Sequence, residues 1–279
     1  MMHSFYTPIK GLGDIELFHI DKFPVLDHTG EQIPDVFSLR NTNSNAHLGM
    51  VSSRYRPIQL DEMLSVLDGA FKANDVVPNG WTMAWNGRKV IIRSELNSNA
   101  LDFDDAQDPY ETYLYTVIDN TGKGTNKFIP STIRAACTNV MHAVIRQGMK
   151  FMLYHSSSFD EKVALTAANV HNTLTQFRLF GNSVKRLRNV QYSLDQMQRF
   201  AAGLIPGKTL RVERKQATLV DLFKNGRGAE GKTKYDALCA VTEYDTHFRT
   251  KRPSTVIGHI RGLDGYTSMT RKAYQLLNN

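Results

Sequence analysis

The chain has only two cysteines in 279 residues, Cys137 and Cys239, about a hundred positions apart. That spacing excludes a disulfide framework and a zinc site built on paired cysteines. Both lie in apolar surroundings, AACTNV and ALCAV, where a reduced, buried thiol is the ordinary state. A reducing cytoplasm is therefore the expected compartment. No run reaches the roughly 18–20 apolar residues needed to span a bilayer, so no membrane partner is expected. The opening MMHSFYTPIKGLG lacks an apolar core segment and predicts no secretory signal. The nine histidines are scattered. The acidic stretch Asp102–Asp108 lacks the spacing and the glycine of a calcium loop, and the serines at 156–158 lack a nucleophile-elbow glycine pattern. No metal, no cofactor and no catalytic residue is assigned from these patterns. There is no internal repeat.

Charge, by contrast, is plentiful and segregated. Residues 1–130 hold 11 Lys and Arg against 17 Asp and Glu, whereas residues 131–279 hold 23 against 10. The net charge of +7 thus averages an acidic half and a strongly basic one. A basic half of this size raises the local concentration of polyanions, of which nucleic-acid phosphates are the commonest. The alternatives are a solvated basic surface, or one that pairs with the acidic half of a neighbouring subunit.

Hydrophobic patterning divides the chain in the same way. Brief apolar or alternating runs at 15–20, 36–40 and 47–52 predict short strands. At 59–73, Leu60, Met63, Leu64, Leu67 and Phe71 fall at helical spacing. Residues 81–85 and 89–96 flank Asn86-Gly87, a strong hairpin signal. Residues 111–118 alternate as a strand, and 127–136 predict another. From the Ser158-x-x-Glu161 capping pattern a helix of about thirty residues is expected. Its stripe of Val163, Ala167, Val170, Leu174, Phe177, Gly181 and Val184 ends in Lys185, Arg186 and Arg188. Shorter helices are expected after Ser193, stopping at Gly203, and over 234–247 and 271–277. The fold class is α+β: an antiparallel sheet with a helix–hairpin–strand–helix core, then a helical C-terminal half. The two parts are 1–150 and 151–279, read as one continuous domain.

Gly226–Thr233, GRGAEGKT, fits the P-loop formula and follows the apolar run LVDLF. A P-loop normally opens an alternating βα sheet, and only 46 residues follow Thr233. The competing readings are a glycine loop touching a nucleic-acid backbone and a plain connection. Glu243 and His247 lie four apart on one helix face, suited to an acid–base role or to a structural polar network. Tyr113, Tyr115, Trp81, Trp85, Phe151 and Tyr154 are candidate platforms for unpaired bases. Around them lie Arg88, Lys89, Arg93, Lys123, Lys127 and Arg134.

Several segments together carry a resemblance. SRYRPIQLDE at 53–62, IPSTIRAACTNVMHA at 129–143, His155, and YDALCAVTEYDTHFR at 235–249 resemble a phage- and plasmid-borne family of unknown function. In that family an Arg precedes Cys-x-Asn, and a late Ala-Val-Thr-Glu-Tyr is followed by His-Arg. The matching positions here are Arg134, Cys137, Asn139, Thr242, Glu243, Tyr244, His247 and Arg249. The family's Asp-Gly-Ser turn is replaced after Asp119 by the longer, more basic Asn120-Thr121-Gly122-Lys123-Gly124. The order helix, hairpin, strand, helix over 59–146 is similar to the core of Rad-fifty-two-type single-strand annealing proteins, a fold-level analogy. The resemblance implies a protein of a mobile element in a bacterial host cytoplasm, acting in recombination or replication. Its expected partners are single-stranded DNA and further copies of itself in a ring or filament. Expected phosphate contacts are Lys89, Arg93, Lys123, Lys127, Arg134, Lys185, Arg186 and Arg188. Asn139, His155, Thr242, Glu243, Tyr244, His247 and Arg249 form the family's polar network. The rival readings are a nuclease or nucleotide-processing enzyme using Glu243 and His247, a P-loop ATPase, and a protein directed at a host partner.

Overall fold

The computed structural model describes residues 7–9, 18–85, 88–96, 110–124, 126–134, 152–153, 159–227, 229, 231–249 and 268–279. Within them the strands are β1 (Thr7–Ile9), β2 (Ile20–Leu26), β3 (Gln32–Asn41), β4 (His47–Val51), β5 (Gly80–Trp85), β6 (Lys89–Leu96), β7 (Tyr110–Asp119), β8 (Asn126–Arg134) and β9 (Met152–Leu153). The helices are α1 (Leu60–Lys72), α2 (Phe159–Arg188), α3 (Leu194–Leu204), α4 (Leu210–Asn225), α5 (Lys234–Glu243) and α6 (Ser268–Asn278). A single π-helical turn, Tyr244–Arg249, continues α5. The fold is α+β, with two antiparallel sheets ordered β1-β5-β6-β7-β8-β9 and β2-β3-β4.

The expected hairpin pairs Trp85 with Val90 and Gly80 with Glu95. Strand β7 then pairs along its length with β6 and β8. Its two faces are both buried, which explains why both alternating sets in its sequence are largely apolar or aromatic. Val90, Ile92, Leu96, Leu114, Ile118 and Phe128 belong to the main core with α1. On the other face Ile91, Tyr113, Tyr115, Val117 and Ile129 are each exposed by 3% or less.

Helix α1 forms where its apolar spacing predicts, and buries Leu60, Met63, Leu64, Leu67 and Phe71. Gln59 precedes it without a side-chain cap bond. Its amide instead accepts from Ile20 N and donates to Ile20 O, both at 2.9 Å, which fixes the start of β2 to the start of the helix. Helix α2 packs its first turns on α1. Lys162 pairs with Glu62 at 2.5 Å, and Asn74 donates to the Ala167 carbonyl at 2.9 Å. Its later turns bury Phe177, Phe180, Val184 and Leu187 in the same cluster as residues of α3, α4, α5 and α6.

The two sheets meet at the turn after Asp119. Asp119 accepts from Lys89 Nζ at 2.5 Å, and from Thr121 N at 2.9 Å and Thr121 Oγ1 at 2.5 Å. Burial alone would raise its carboxyl pKa, but these donors outweigh it and hold the pKa below the usual value. The turn then passes over β4 so closely that a Cβ at Gly49 would lie 2.0 Å from the Thr121 carbonyl oxygen. Gly122 adopts φ +72° beside Val51, a conformation open to glycine. Thr121 and Gly122 of this turn are thus packed against the small sheet.

Two helices differ from the sequence reading, and one expected strand is mostly undescribed. The strand expected at 15–20 falls mainly outside the described residues, and β2 begins at Ile20. Helix α4 was not expected. The helix after Ser193 has its expected capping box, but it passes Gly203 and ends at Leu204. The helix-forming residues expected within 135–146 lie outside the described set.

Asp119→Asn is expected to cost about 2 kcal/mol, since it removes the charge that two donors and an ammonium share. Because the folded carboxyl's pKa is depressed, its contribution is present above the usual carboxylate range and is lost as pH falls through the folded value. Urea unfolding across a pH series should therefore show a wild-type advantage that is flat near neutrality and shrinks towards acid. Gly49→Ala should lower stability at every pH.

Candidate nucleic-acid interface and buried polar network

The late Thr242-Glu243-Tyr244 segment lies at the junction of α5, the π turn and α6. Thr233 caps α5. Its Oγ1 accepts from Asp236 N at 3.2 Å, while Asp236 Oδ2 accepts from Lys232 N at 3.0 Å, Thr233 N at 2.9 Å and Thr233 Oγ1 at 2.9 Å. This is a capping box. It gives GRGAEGKT a helix before it and a helix after it. A P-loop is led in by a strand, and its Thr holds magnesium. Here LVDLF is the end of helix α4 and the Thr233 hydroxyl is engaged in the cap. The segment therefore joins two helices and lacks the strand that leads into a P-loop.

Glu243 is 6% exposed and accepts from Arg227 N at 3.0 Å. Gly226 packs so close that a Cβ there would sit 2.7 Å from Glu243 Oε2. The carboxylate thus holds the loop that leaves α4. Thr242 is fully buried and donates to the Cys239 carbonyl. Asp245, 2% exposed, accepts from Thr270 Oγ1 at 2.9 Å, which ties the π turn to α6. Tyr244 lies parallel to Phe248, ring centroids 6.2 Å apart. His247 is half-buried on the same turn, and Arg249 ends it. Asn139 and His155 lie outside the described residues. So three acids of the basic half, Asp236, Glu243 and Asp245, bond to their own chain. Among the described residues no group of three or more His, Cys, Asp and Glu side chains could hold a metal ion.

The expected phosphate contacts do not converge. Lys89 is bound to Asp119. Arg93 is 5% exposed and lies 4.6 Å over the Tyr113 ring, a buried cation–π contact. Tyr113 donates to Glu111 at 2.6 Å, and burial together with that bond pushes its pKa up. Tyr113 and Tyr115 are therefore interior residues of the sheet, not surface platforms. Phe151 and Tyr154 lie outside the described residues. Lys123 is exposed in the turn after Asp119, Lys127 is half-buried on β8, and Arg134 closes β8 opposite Tyr110. Lys185, Arg186 and Arg188 form the last turn of α2. Arg186 bonds Asn278, and Arg188 lies 4.5 Å over the Tyr235 ring. Counted from Lys162 they stand roughly 36 Å along the helix, at 1.5 Å per residue.

What the sequence reading missed is helix α4. It carries Arg211, Arg214 and Lys215 at adjacent positions of its surface, with Lys208 just before it. Val212, Leu219, Leu222 and Phe223 do follow helical spacing, and Thr209 caps the helix. The stripe is broken at Gln216, which donates to the Ile205 carbonyl at 2.8 Å. Lys215 lies in a cleft of about 280 Å³ with Leu204, Ile205, Pro206, Tyr244, Met269 and Lys272.

The sequence profile of the domain of unknown function DUF932 matches residues 47–266. The chain belongs to that family. The match spans all the motif segments, from 53–62 to 235–249. No curated protein and no solved structure matches the chain. In this DUF932 chain Glu243 holds the α4–α5 loop to the end of α5 and the neighbouring Asp245 ties the π turn to α6, while Thr242 bonds within α5. No described helix is long and apolar enough to cross a membrane.

Glu243→Ala leaves the Arg227 N–H without its acceptor and is expected to cost about 1–3 kcal/mol. Glu243→Gln keeps an acceptor oxygen and should cost clearly less. Urea unfolding of both variants checks the structural role. An equal loss would mean that the charge, not the bond, matters.

Proposed function

We propose that this protein binds single-stranded DNA through its helical half and promotes strand annealing as a homo-oligomer, in the recombination or replication of a mobile element. One observation carries the binding step. Among the described residues 178–279, twelve Lys and Arg are exposed against three Asp and Glu. The other described acids of that region, Asp236, Glu243 and Asp245, are turned inward to hold helices. Folding thus makes the surface more basic than the composition does. A surface of this kind attracts the phosphate chain and releases its counterions.

Annealing requires neither a nucleophile nor a bound nucleotide. It requires phosphates to be neutralised while base edges stay free to pair. The annealing step rests on an analogy of element order, helix, hairpin, strand, helix over 59–146, to the annealing-protein core; α1, the β5–β6 hairpin and β7 supply its first three elements, and its last helix lies outside the described residues. Assembly rests on the segregation of charge, since an acidic half of one copy suits the basic half of the next in a head-to-tail array. Lys185, Arg186 and the cations of α4 are the phosphate contacts in this reading. Lys89 and Arg93, held internally, are not.

Fluorescence anisotropy with a labelled oligonucleotide of about 30–50 bases, single- and double-stranded, across a salt series tests the reading. Tight binding that prefers single strands is expected. The logarithm of affinity should fall linearly with that of salt, at about −0.7 per phosphate neutralised. A flat salt response, or no binding at low salt, would overturn it.

A further inference from the structure

We infer that the cleft between the end of α3, α4, the π turn and α6 is a contact site for single-stranded nucleic acid, in which Lys215 and Lys272 meet phosphates and the ring of Phe248 carries an unpaired base. This site deepens the single-strand reading above and rests on it. Three features of the cleft point to that ligand.

First, two cations stand on different elements of one cleft. Lys215 projects from α4 and Lys272 from α6, and both line the same space. Lys272 Nζ donates to the Gly203 carbonyl at 3.1 Å, which places its ammonium beside the end of α3. Among the described residues that line the cleft there is no acid. Lys208, Arg211 and Arg214 continue the cationic surface along α4 and before it.

Second, the floor is apolar and aromatic. Leu204, Ile205, Pro206, Met269 and Tyr244 supply it. A phosphate alone would not call for such a floor, whereas an unstacked base does. Bases in a duplex hide their faces, so the combination favours single strands.

Third, Phe248 is 59% exposed, and a large apolar ring held open to solvent is a feature to be explained. It is not loosely placed. Its ring lies within 3° of parallel to Tyr244, which itself lines the cleft. The π turn carries both rings, and i→i+5 turns of this kind are frequent at functional sites. Asp245, between them in sequence, is bonded to Thr270 of α6. That bond fixes the turn against the helix that supplies Met269 and Lys272, so both walls are set before a ligand arrives. A stacked pair with one face open can accept a base as a third ring.

The test uses the full-length protein and a labelled thirty-base oligothymidylate, which has no secondary structure of its own. Phe248→Ala removes an exposed ring, and Lys215→Ala/Lys272→Ala removes two surface cations; unchanged thermal midpoints check that both fold. Phe248→Ala is expected to weaken binding roughly 5- to 150-fold with the salt slope unchanged. The double lysine variant is expected to make the slope shallower by about 1.4, the share of two phosphates. If the wild type binds with a steep salt slope and neither variant changes it, the cleft is not the contact site, and the broader single-strand reading stands. If polyglutamate displaces the oligonucleotide at equal charge and Phe248→Ala has no effect, the surface takes polyanions generally, and the base-stacking inference falls. If the wild type does not bind at low salt, both readings fall together.

Discussion

Helix α2 is the element on which the rest of the molecule depends. Its first turns close α1 over the large sheet, through the Glu62–Lys162 pair and the close approach of Val163 to Gly69. Its last turns bury Phe177, Phe180, Val184 and Leu187 among α3 to α6. A single rigid rod thus has the sheet layer at one end and the helical layer at the other. The buried residues of both ends form one cluster. Cationic side chains in its last turn favour the helix dipole, and one of them, Arg188, also packs on Tyr235 of α5.

The second constraint is the fate of the acids. In the helical half, Asp236 closes the capping box of α5, Glu243 holds the α4–α5 loop and Asp245 ties the π turn to α6. Each is satisfied by donors of its own chain, as buried carboxylates must be. Within the Thr-Glu-Tyr segment, Glu243 thus has a partner on another element, the amide of Arg227. The consequence is electrostatic, because acids turned inward no longer offset the cations outside. The adjoining π turn places Tyr244 and Phe248 in a stacked pair beside Lys215 and Lys272, so the structural and the proposed binding roles share one turn of helix.

Much of the architecture was legible in the sequence. The spacing of Leu60, Met63, Leu64, Leu67 and Phe71 gave α1 almost to the residue, and Asn86-Gly87 located the β5–β6 hairpin. The thirty-residue stripe gave α2. What was not legible has physical reasons. In α4 an inward glutamine, Gln216, occupies a stripe position because it satisfies the Ile205 carbonyl, so the periodicity is interrupted. In β2 most side chains are exposed or half-exposed and Pro24 stands mid-strand, leaving no alternation to read. For the site, sequence shows charge but not its partners. Lys89 and Arg93 look like surface cations until Asp119 and Tyr113 are seen beside them. Phe248 carries no signal in the sequence, and only its exposure in the structure marks it.

The central claim is that the helical surface around α4, the π turn and α6 captures single strands. Photocrosslinking to an oligonucleotide carrying 5-iodouracil, followed by mass spectrometry of the adducts, tests it most directly. The account predicts adducts on peptides containing 208–217, 244–249 and 269–275, with Phe248 itself among the modified residues. Adducts confined to the β2–β4 sheet or to the β5–β8 strands would contradict it, and would move the binding surface to the acidic half of the chain.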